Sequence, residues 1–390
     1  MDYSKVISDV VREMKPSAIR KYFDFSERKE KVITLGVGEP DFPTPKAFCD
    51  AAIESINNKE TFYTSNWGSI ELREAISDYM KDRFNLEYSP INEVLITVGT
   101  SEALDLSLRS LVNPGDEVII PEPCYVSYEP NVRLVGGVPV YVETKSENKF
   151  KLMAADLEKV ITPKTKILVL PYPSNPTGGI MTREELEPIA EVIKKHNIFV
   201  ISDELYSELS YGVKHTSMAT LPGMRERTYV INGFSKSFAM TGWRVGFVCG
   251  PSELLTQTVK IHQYTMLCAP IMAQKAATKA LRDGIPEMEK MVSIYNERRK
   301  YLVERLNNMG LDCFEPEGAF YAFPSIKRTG MKSEEFADTL LDTKNVAVVP
   351  GTGFGPNGEG FIRICYAYSI EEITEALNRI EEFVKELIKK

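Results

Sequence analysis

Between about residue 90 and residue 250 the chain repeats one theme: a short β-branched apolar run, a turn or loop, then a segment of helical period. The runs occupy 94–98, 117–120, 138–142, 166–170, 198–202, 228–231 and 245–249. Several lack polar alternation, as strands covered on both faces should. With helical segments such as 101–112 and 183–196 between them, the pattern predicts an α/β fold: a mostly parallel, seven-stranded sheet sandwiched by helices. Ligands of such sheets sit at the carboxyl ends of the strands, so chemistry is to be sought there.

The last hundred or so residues change character. A long charged helical stretch at 285–309 is followed by short strand signals at 347–349 and 361–365 and then by an amphipathic helix. In that helix Ile370, Ile373, Leu377, Ile380, Val384 and Leu387 keep a period near 3.6. This segment reads as a smaller α+β domain. The stretch through Gly36 and Gly38 to Pro45 has no core of its own and is expected to pack on it. The 390 residues therefore divide into a large domain, 47–280, and a small domain made of 1–46 and 281–390. With 43% hydrophobic and 26% charged residues, such a chain can bury a sizeable core.

Charge narrows the function. Lys and Arg number 47 against 55 Asp and Glu, a formal net charge of −8, and the pI is near 5.3, which argues against a nucleic-acid or anionic-membrane partner. No apolar run reaches the ~18 residues of a membrane helix, and the N-terminus lacks a signal-peptide core, so a cytoplasmic protein is expected. The six cysteines contain no Cys-x-x-Cys pair and the three histidines no ligand spacing, so neither disulfides nor a metal are expected.

Among glycine-rich signals, Gly353, Gly355 and Gly358 match G-x-G-x-x-G, but a strand-like run follows where a dinucleotide site needs a helix. A better anion site lies at Val98-Gly99-Thr100-Ser101, where a buried strand ends and a helix opens at Ser101, with Leu104, Leu108 and Leu111 on one face and an Asp105/Arg109 pair. Taken alone, Ser101 could be only an N-cap. Further on, an apolar strand delivers Asp203 at its end, where a carboxylate demands a partner. Lys236 follows another strand among aromatic and small residues, a setting that lowers its pKa and favours the neutral amine, the form that adds to carbonyls. Arg244 adds a permanent cation nearby. A pyridine-type cofactor would unite these parts: phosphate at Thr100 and Ser101, ring nitrogen at Asp203, aldehyde at Lys236.

The motifs Ser174-Asn175-Pro176-Thr177-Gly178, Ser202-Asp203-Glu204-Leu205-Tyr206, Ser235-Lys236-Ser237-Phe238 and Gly242-Trp243-Arg244, in this order, closely resemble the class I aminotransferases of pyridoxal-phosphate fold type I. The resemblance runs from Gly36-Val37-Gly38-Glu39-Pro40-Asp41-Phe42 to Phe361-Ile362-Arg363. It implies that Lys236 binds the cofactor aldehyde and moves the proton from the substrate Cα, and that Asp203 holds a proton on the pyridine nitrogen. Asn175 and Tyr206 match the donors to the ring hydroxyl oxygen, and Tyr125 the aromatic residue stacked on the ring. Thr100, Ser101, Ser235 and Arg244 correspond to the phosphate cup. Tyr63 resembles the tyrosine that reaches the phosphate of a neighbouring subunit, which implies a homodimer with shared sites. Arg363 matches the fork onto the substrate α-carboxylate, assisted by Gly38 and Asn175, with Ile19 and Arg20 facing the substrate.

Within the family, Pro16-Ser17-Ala18-Ile19-Arg20-Lys21-Tyr22-Phe23 and Tyr63-Thr64-Ser65-Asn66-Trp67-Gly68 resemble the branch holding aromatic and N-acetyl-diaminopimelate aminotransferases. The implied activity is ping-pong transamination between an aromatic or long-chain L-amino acid, or N-acetyl-diaminopimelate, and a 2-oxo acid such as 2-oxoglutarate. No arginine matches the residue that reads a distal carboxylate in the aspartate-specific subgroup. The alternatives are a carbon–sulfur β-lyase on the same Lys236, a non-catalytic regulator, disfavoured because only about thirty residues precede Val32, and a nucleotide-dependent dehydrogenase, disfavoured by the context of the glycine motif.

Overall fold

The computed structural model describes residues 1–17, 19–23 and 32–388, leaving Ala18 of the 16–23 motif outside the described residues. In chain order the strands are β1 (Ile33–Thr34), β2 (Val94–Thr97), β3 (Glu117–Glu122), β4 (Val138–Glu143), β5 (Thr165–Leu170), β6 (Phe199–Asp203), β7 (Thr228–Gly233), β8 (Gly246–Cys249), β9 (Tyr321–Ala322), β10 (Val346–Ala347), β11 (Val349–Pro350) and β12 (Ile362–Cys365). Each of the seven apolar runs forms a strand of one sheet, in the order β2-β8-β7-β6-β5-β3-β4.

All neighbours in this sheet are parallel except β8, which runs antiparallel to both β2 and β7. The apolar runs are continuous because both faces are covered. Ile167, Val169, Ile201, Ile231 and Val248 enter one core, while Leu168, Leu170 and Val200 enter another. Helices Gly99–Leu111 and Arg183–Lys195 lie close to the expected segments.

The parallel strands bring their carboxyl ends to one edge. There β2 leads into the Gly99–Leu111 helix, β5 into the turn of Asn175, β6 ends on Asp203 and β7 leads to Ser235 and Lys236. Because β8 is antiparallel, its beginning reaches the same edge, and Arg244 just before it joins the group.

The Gly99–Leu111 helix corrects one expectation. It opens at Gly99, so Ser101 lies inside its first turn and caps nothing. Gly99 at φ +75° carries the chain from β2 straight into the helix, and the Glu102 carboxylate reaches back to accept the N–H of Val98, the residue just before the helix. The Asp105–Arg109 pair forms at 2.7 Å.

Beyond the sheet, β11, β12 and β9 form an antiparallel sheet and β1 pairs in parallel with β10. The chain before the large sheet is thereby fastened to its far end: Leu35 donates to Ala347, and Cys365 donates to Leu35. The helices Ile285–Asn308, Ser333–Lys344 and Ile370–Ile388 pack around these strands. Ile373, Leu377, Ile380 and Val384 are buried as their period requires. Ile370 is 40% exposed, since the first residue of the helix lies beyond the surface that the stripe covers. Gly351–Phe354 and Pro356–Gly358 are short 3₁₀ turns leading to β12, so the glycine motif opens no helix.

Leu377→Ala should lower the thermal midpoint markedly, in keeping with the ~2–5 kcal/mol that such core truncations cost, whereas Ile370→Ala should leave it almost unchanged. Calorimetric melting of the two variants checks the packing of this helix.

Candidate active site

A cavity of about 460 Å³ opens at the carboxyl edge of the sheet, between the large sheet and the β9–β12 region. Gly38, Thr100, Ser101, Tyr125, Asn175, Asp203, Tyr206, Ser235, Lys236, Arg244, Arg363 and Ile19 all line it. Tyr63 does not: its side chain is 82% exposed to solvent.

Lys236 sits in the turn after β7, with Phe234 and Phe238 buried on either side of it in sequence. Its Nζ donates to the Gly38 carbonyl and lies 5.8 Å from the centroid of the Phe320 ring. Burial lowers its pKa to about 8, outweighing the opposing influence of Cys365 and Glu39, and the Arg363 and Arg244 cations add smaller contributions in the same direction as burial. The sequence expectation of a more readily neutral amine is met, and burial is its main cause.

Asp203 ends β6. Its carboxylate accepts from Tyr128 Oη at 2.8 Å and from the Leu205 N–H at 3.3 Å. Among the described residues no cation pairs with it, and burial raises its pKa despite these two donors. One residue further on, fully buried Glu204 takes hydrogen bonds from Ser202 and Ser217 and faces His215 at 3.0 Å, which ties the strand end down from behind.

Arg363 is 1% exposed on β12. Its Nη1 donates to Asn175 Oδ1 at 2.9 Å and its Nη2 to the Gly36 carbonyl, while Nε has no partner. The guanidinium lies against the rings of Tyr321, at 4.5 Å, and Phe354, at 4.8 Å. No carboxylate among the described residues pairs with it. Asn175 is held in its turn by the Ser174 N–H to Gly179 and the Gly178 N–H to Ser174.

The first turn of the Gly99–Leu111 helix presents free N–H groups beside Thr100 and Ser101. The Arg244 guanidinium packs against it so closely that a Cβ on Gly99 would lie 2.6 Å from Nη2.

Three contributors were not legible in the sequence. Tyr128 supplies the only side-chain donor to Asp203 found among the described residues. Tyr321 bonds Tyr206 Oη at 2.9 Å, flanks Arg363, and leaves no space for a side chain at Gly38, where a Cβ would stand 2.1 Å from its Oη. Phe354 places a second ring 4.8 Å from the Arg363 guanidinium. Aromatic residues are common in cores, so the sequence did not single these three out.

These residues fit pyridoxal phosphate. A carboxylate with no cation, a lysine with a lowered pKa, a glycine-lined helix N-terminus under a guanidinium and an aromatic ring at Tyr125 face one cavity, matching the ring nitrogen, aldehyde, phosphate and ring face of that molecule. Fold and site together define a pyridoxal-phosphate enzyme.

The sequence matches the family "Aminotransferase class I and II" over residues 30–380. It is 55% identical to the aminotransferase-family protein YugH of Bacillus subtilis, over 97% of this chain and 98% of that one. It is 46% identical to an aspartate aminotransferase of Pyrococcus abyssi, again over 97% of this chain and 98% of the other. The crystal structure of an aromatic aminotransferase from Pyrococcus horikoshii superposes with a TM-score of 0.90 at 43% identity, covering 95% of this chain and 99% of that one. The chain belongs to the class I and II aminotransferases, and it is a pyridoxal-phosphate-dependent enzyme acting on amino and 2-oxo acids.

In the cofactor-free protein, competitive acetylation should find Lys236 reacting with a midpoint near pH 8, where exposed lysines titrate near their ordinary 10.5. The sign follows from burial: the folded pKa lies below the unfolded one, so the charged amine destabilises the fold below pH 8 and the effect vanishes above 10.5. A midpoint unshifted from the bulk of the lysines would contradict the burial argument.

Proposed function

We propose that this chain catalyses ping-pong transamination between an L-amino acid with an aromatic or long side chain and a 2-oxo acid such as 2-oxoglutarate. The observation that carries the reading is Arg363, a buried guanidinium in the cavity with no carboxylate partner and an unused Nε, beside Asn175 and within the electrostatic reach of Lys236. A buried cation without a counter-ion is costly unless a ligand supplies one, and an α-carboxylate fits the planar fork.

Bound pyridoxal phosphate supplies an aldehyde for the amino group and an electron-accepting ring. Lys236 Nζ, uncharged at a lower pH than an ordinary lysine, takes the proton from the substrate Cα and later returns one. Asp203 holds a proton at the ring nitrogen, with Tyr128 and the Leu205 N–H keeping the carboxylate aimed. Tyr206 and Asn175 serve the ring oxygen, Tyr125 covers the ring face, and Thr100, Ser101, Ser235 and Arg244 hold the phosphate. Arg363, Asn175 and the backbone at Gly38 orient the substrate.

The side-chain preference rests on the cations of the cavity. Among the described residues those lining it are Lys236, Arg244 and Arg363, each with a role above, so none of these is left for a distal carboxylate; Arg20, expected beside the substrate, is exposed and lies outside the lining, while Ile19, Leu104 and Tyr128 offer apolar surface. N-acetyl-diaminopimelate, named above through the family branch, fits the same reading as a long donor. The active form is a homodimer: Phe62, Tyr63 and Tyr264 are each more than four-fifths exposed, and Asn66 ties the segment of Phe62 and Tyr63 to the end of the helix of Tyr264 through the Leu267 carbonyl at 2.8 Å. Tyr63 then serves the neighbouring phosphate. Residues 47–280 form the large unit of each subunit, and 1–46 with 281–390 the small one.

Mixed with phenylalanine but no oxo acid, the holoenzyme should release one equivalent of phenylpyruvate per site and stop; a carbon–sulfur β-lyase would release none, and would instead turn a cysteine S-conjugate and water continuously into a thiol, pyruvate and ammonia. Lys236→Ala should abolish turnover with the fold retained, and Arg363→Ala should raise KM for both amino and oxo acids by about tenfold or more. Steady-state kinetics with and without acceptor, with circular dichroism of the variants, checks all three.

A further inference from the structure

The glycine motif at Gly353, Gly355 and Gly358 has no part in the chemistry above, yet the large sheet reaches out to hold it. Glu122, the last residue of β3, is 5% exposed. Among the described residues no cation pairs with its carboxyl group, whose hydrogen bond comes from the Asn357 N–H at 3.3 Å. Its charged neighbours are acidic, Glu129 and Glu143, and Arg133 is engaged by Glu129 at 2.7 Å. Tyr141 and the Cys124 thiol also face it. Burial raises the Glu122 pKa, the mark of a carboxyl group kept where it costs stability.

The loop is shaped around this residue. Gly355 stands at φ +115°, and a Cβ there would lie 2.2 Å from Glu122 Oε1. Two residues beyond Glu122, the Cys124 N–H donates to the Phe354 carbonyl at 3.0 Å. The Glu122 backbone is itself fixed, its carbonyl accepting from the Thr144 N–H at 2.8 Å and Oγ1 at 3.0 Å. The fastened loop carries Phe354, 2% exposed and 4.8 Å from the Arg363 guanidinium. Tyr125, which lines the cavity, follows Cys124 directly.

We propose that Glu122 is a positioning residue for substrate binding: by accepting the Asn357 N–H it clamps the 351–358 loop and fixes Phe354 over Arg363, so that the guanidinium is set for the α-carboxylate. This rests on the reading that Arg363 takes that carboxylate. The clamp joins the strand end bearing Tyr125 to the strand bearing Arg363.

The test is a double-mutant cycle on the holoenzyme, with KM and kcat measured for one amino acid and one oxo acid. Glu122→Ala should raise both KM values about tenfold with kcat changed less than twofold, and Phe354→Leu should do the same. The double variant should be no worse than the poorer single one. Glu122→Gln, whose amide oxygen still accepts the Asn357 N–H, should stay within about threefold of the parent KM and keeps the test open if the alanine variant does not fold. A lowered melting temperature with KM unchanged would overturn the proposal, as would additive effects in the double variant or a glutamine variant as impaired as alanine. Arg363→Lys separates the two levels: if it leaves KM unchanged, the reading of Arg363 fails; if it raises KM while Glu122→Ala does not, only the clamp fails.

Discussion

Charge without a counter-charge is the constraint around which this molecule is arranged. Asp203 at the end of a buried strand, Lys236 between buried aromatic residues and Arg363 between two rings face one cavity, and no residue described in the chain neutralises any of them. Each costs desolvation, and the fold tolerates this because a rigid sheet and its packed faces hold the groups where a ligand with complementary charges can meet them. A phosphate, a ring nitrogen and an α-carboxylate supply that complement. Burial that weakens the apoprotein therefore prepares the enzyme.

The topology explains why these groups converge. Parallel strands deliver their carboxyl ends to one edge, and the antiparallel β8 brings Arg244 to that edge from its amino end. The strand of Arg363 belongs to a different sheet, joined to the large-sheet side through Asn175, through Gly36 and Gly38, and through the loop that meets Glu122. On the proposed reading, substrate and cofactor are held by separate layers whose registration depends on a few polar contacts.

Much of this was legible in the sequence. The seven strands stood out because strands buried on both faces carry unbroken apolar runs, and Asp203 and Lys236 were marked by polar residues intruding at the ends of such runs. What remained hidden depends on contacts between distant segments. Tyr128, Tyr321 and Phe354 look like any core aromatic until the fold brings them to Asp203, Tyr206 and Arg363. The helix starts two residues before Ser101 because Gly99, at positive φ, turns the chain directly out of β2, which the serine at 101 does not announce. Tyr63 lies outside the cavity, so the part proposed for it requires a second subunit.

The most direct test of the central claim is the melting temperature of the protein with and without pyridoxal phosphate, compared between the parent chain and Asp203→Asn. If the buried carboxylate is held for a cation on the cofactor, the cofactor-free variant should melt higher than the parent, and its gain on adding pyridoxal phosphate should be much smaller. A variant that melts lower than the parent without cofactor and gains as much with it would contradict the account.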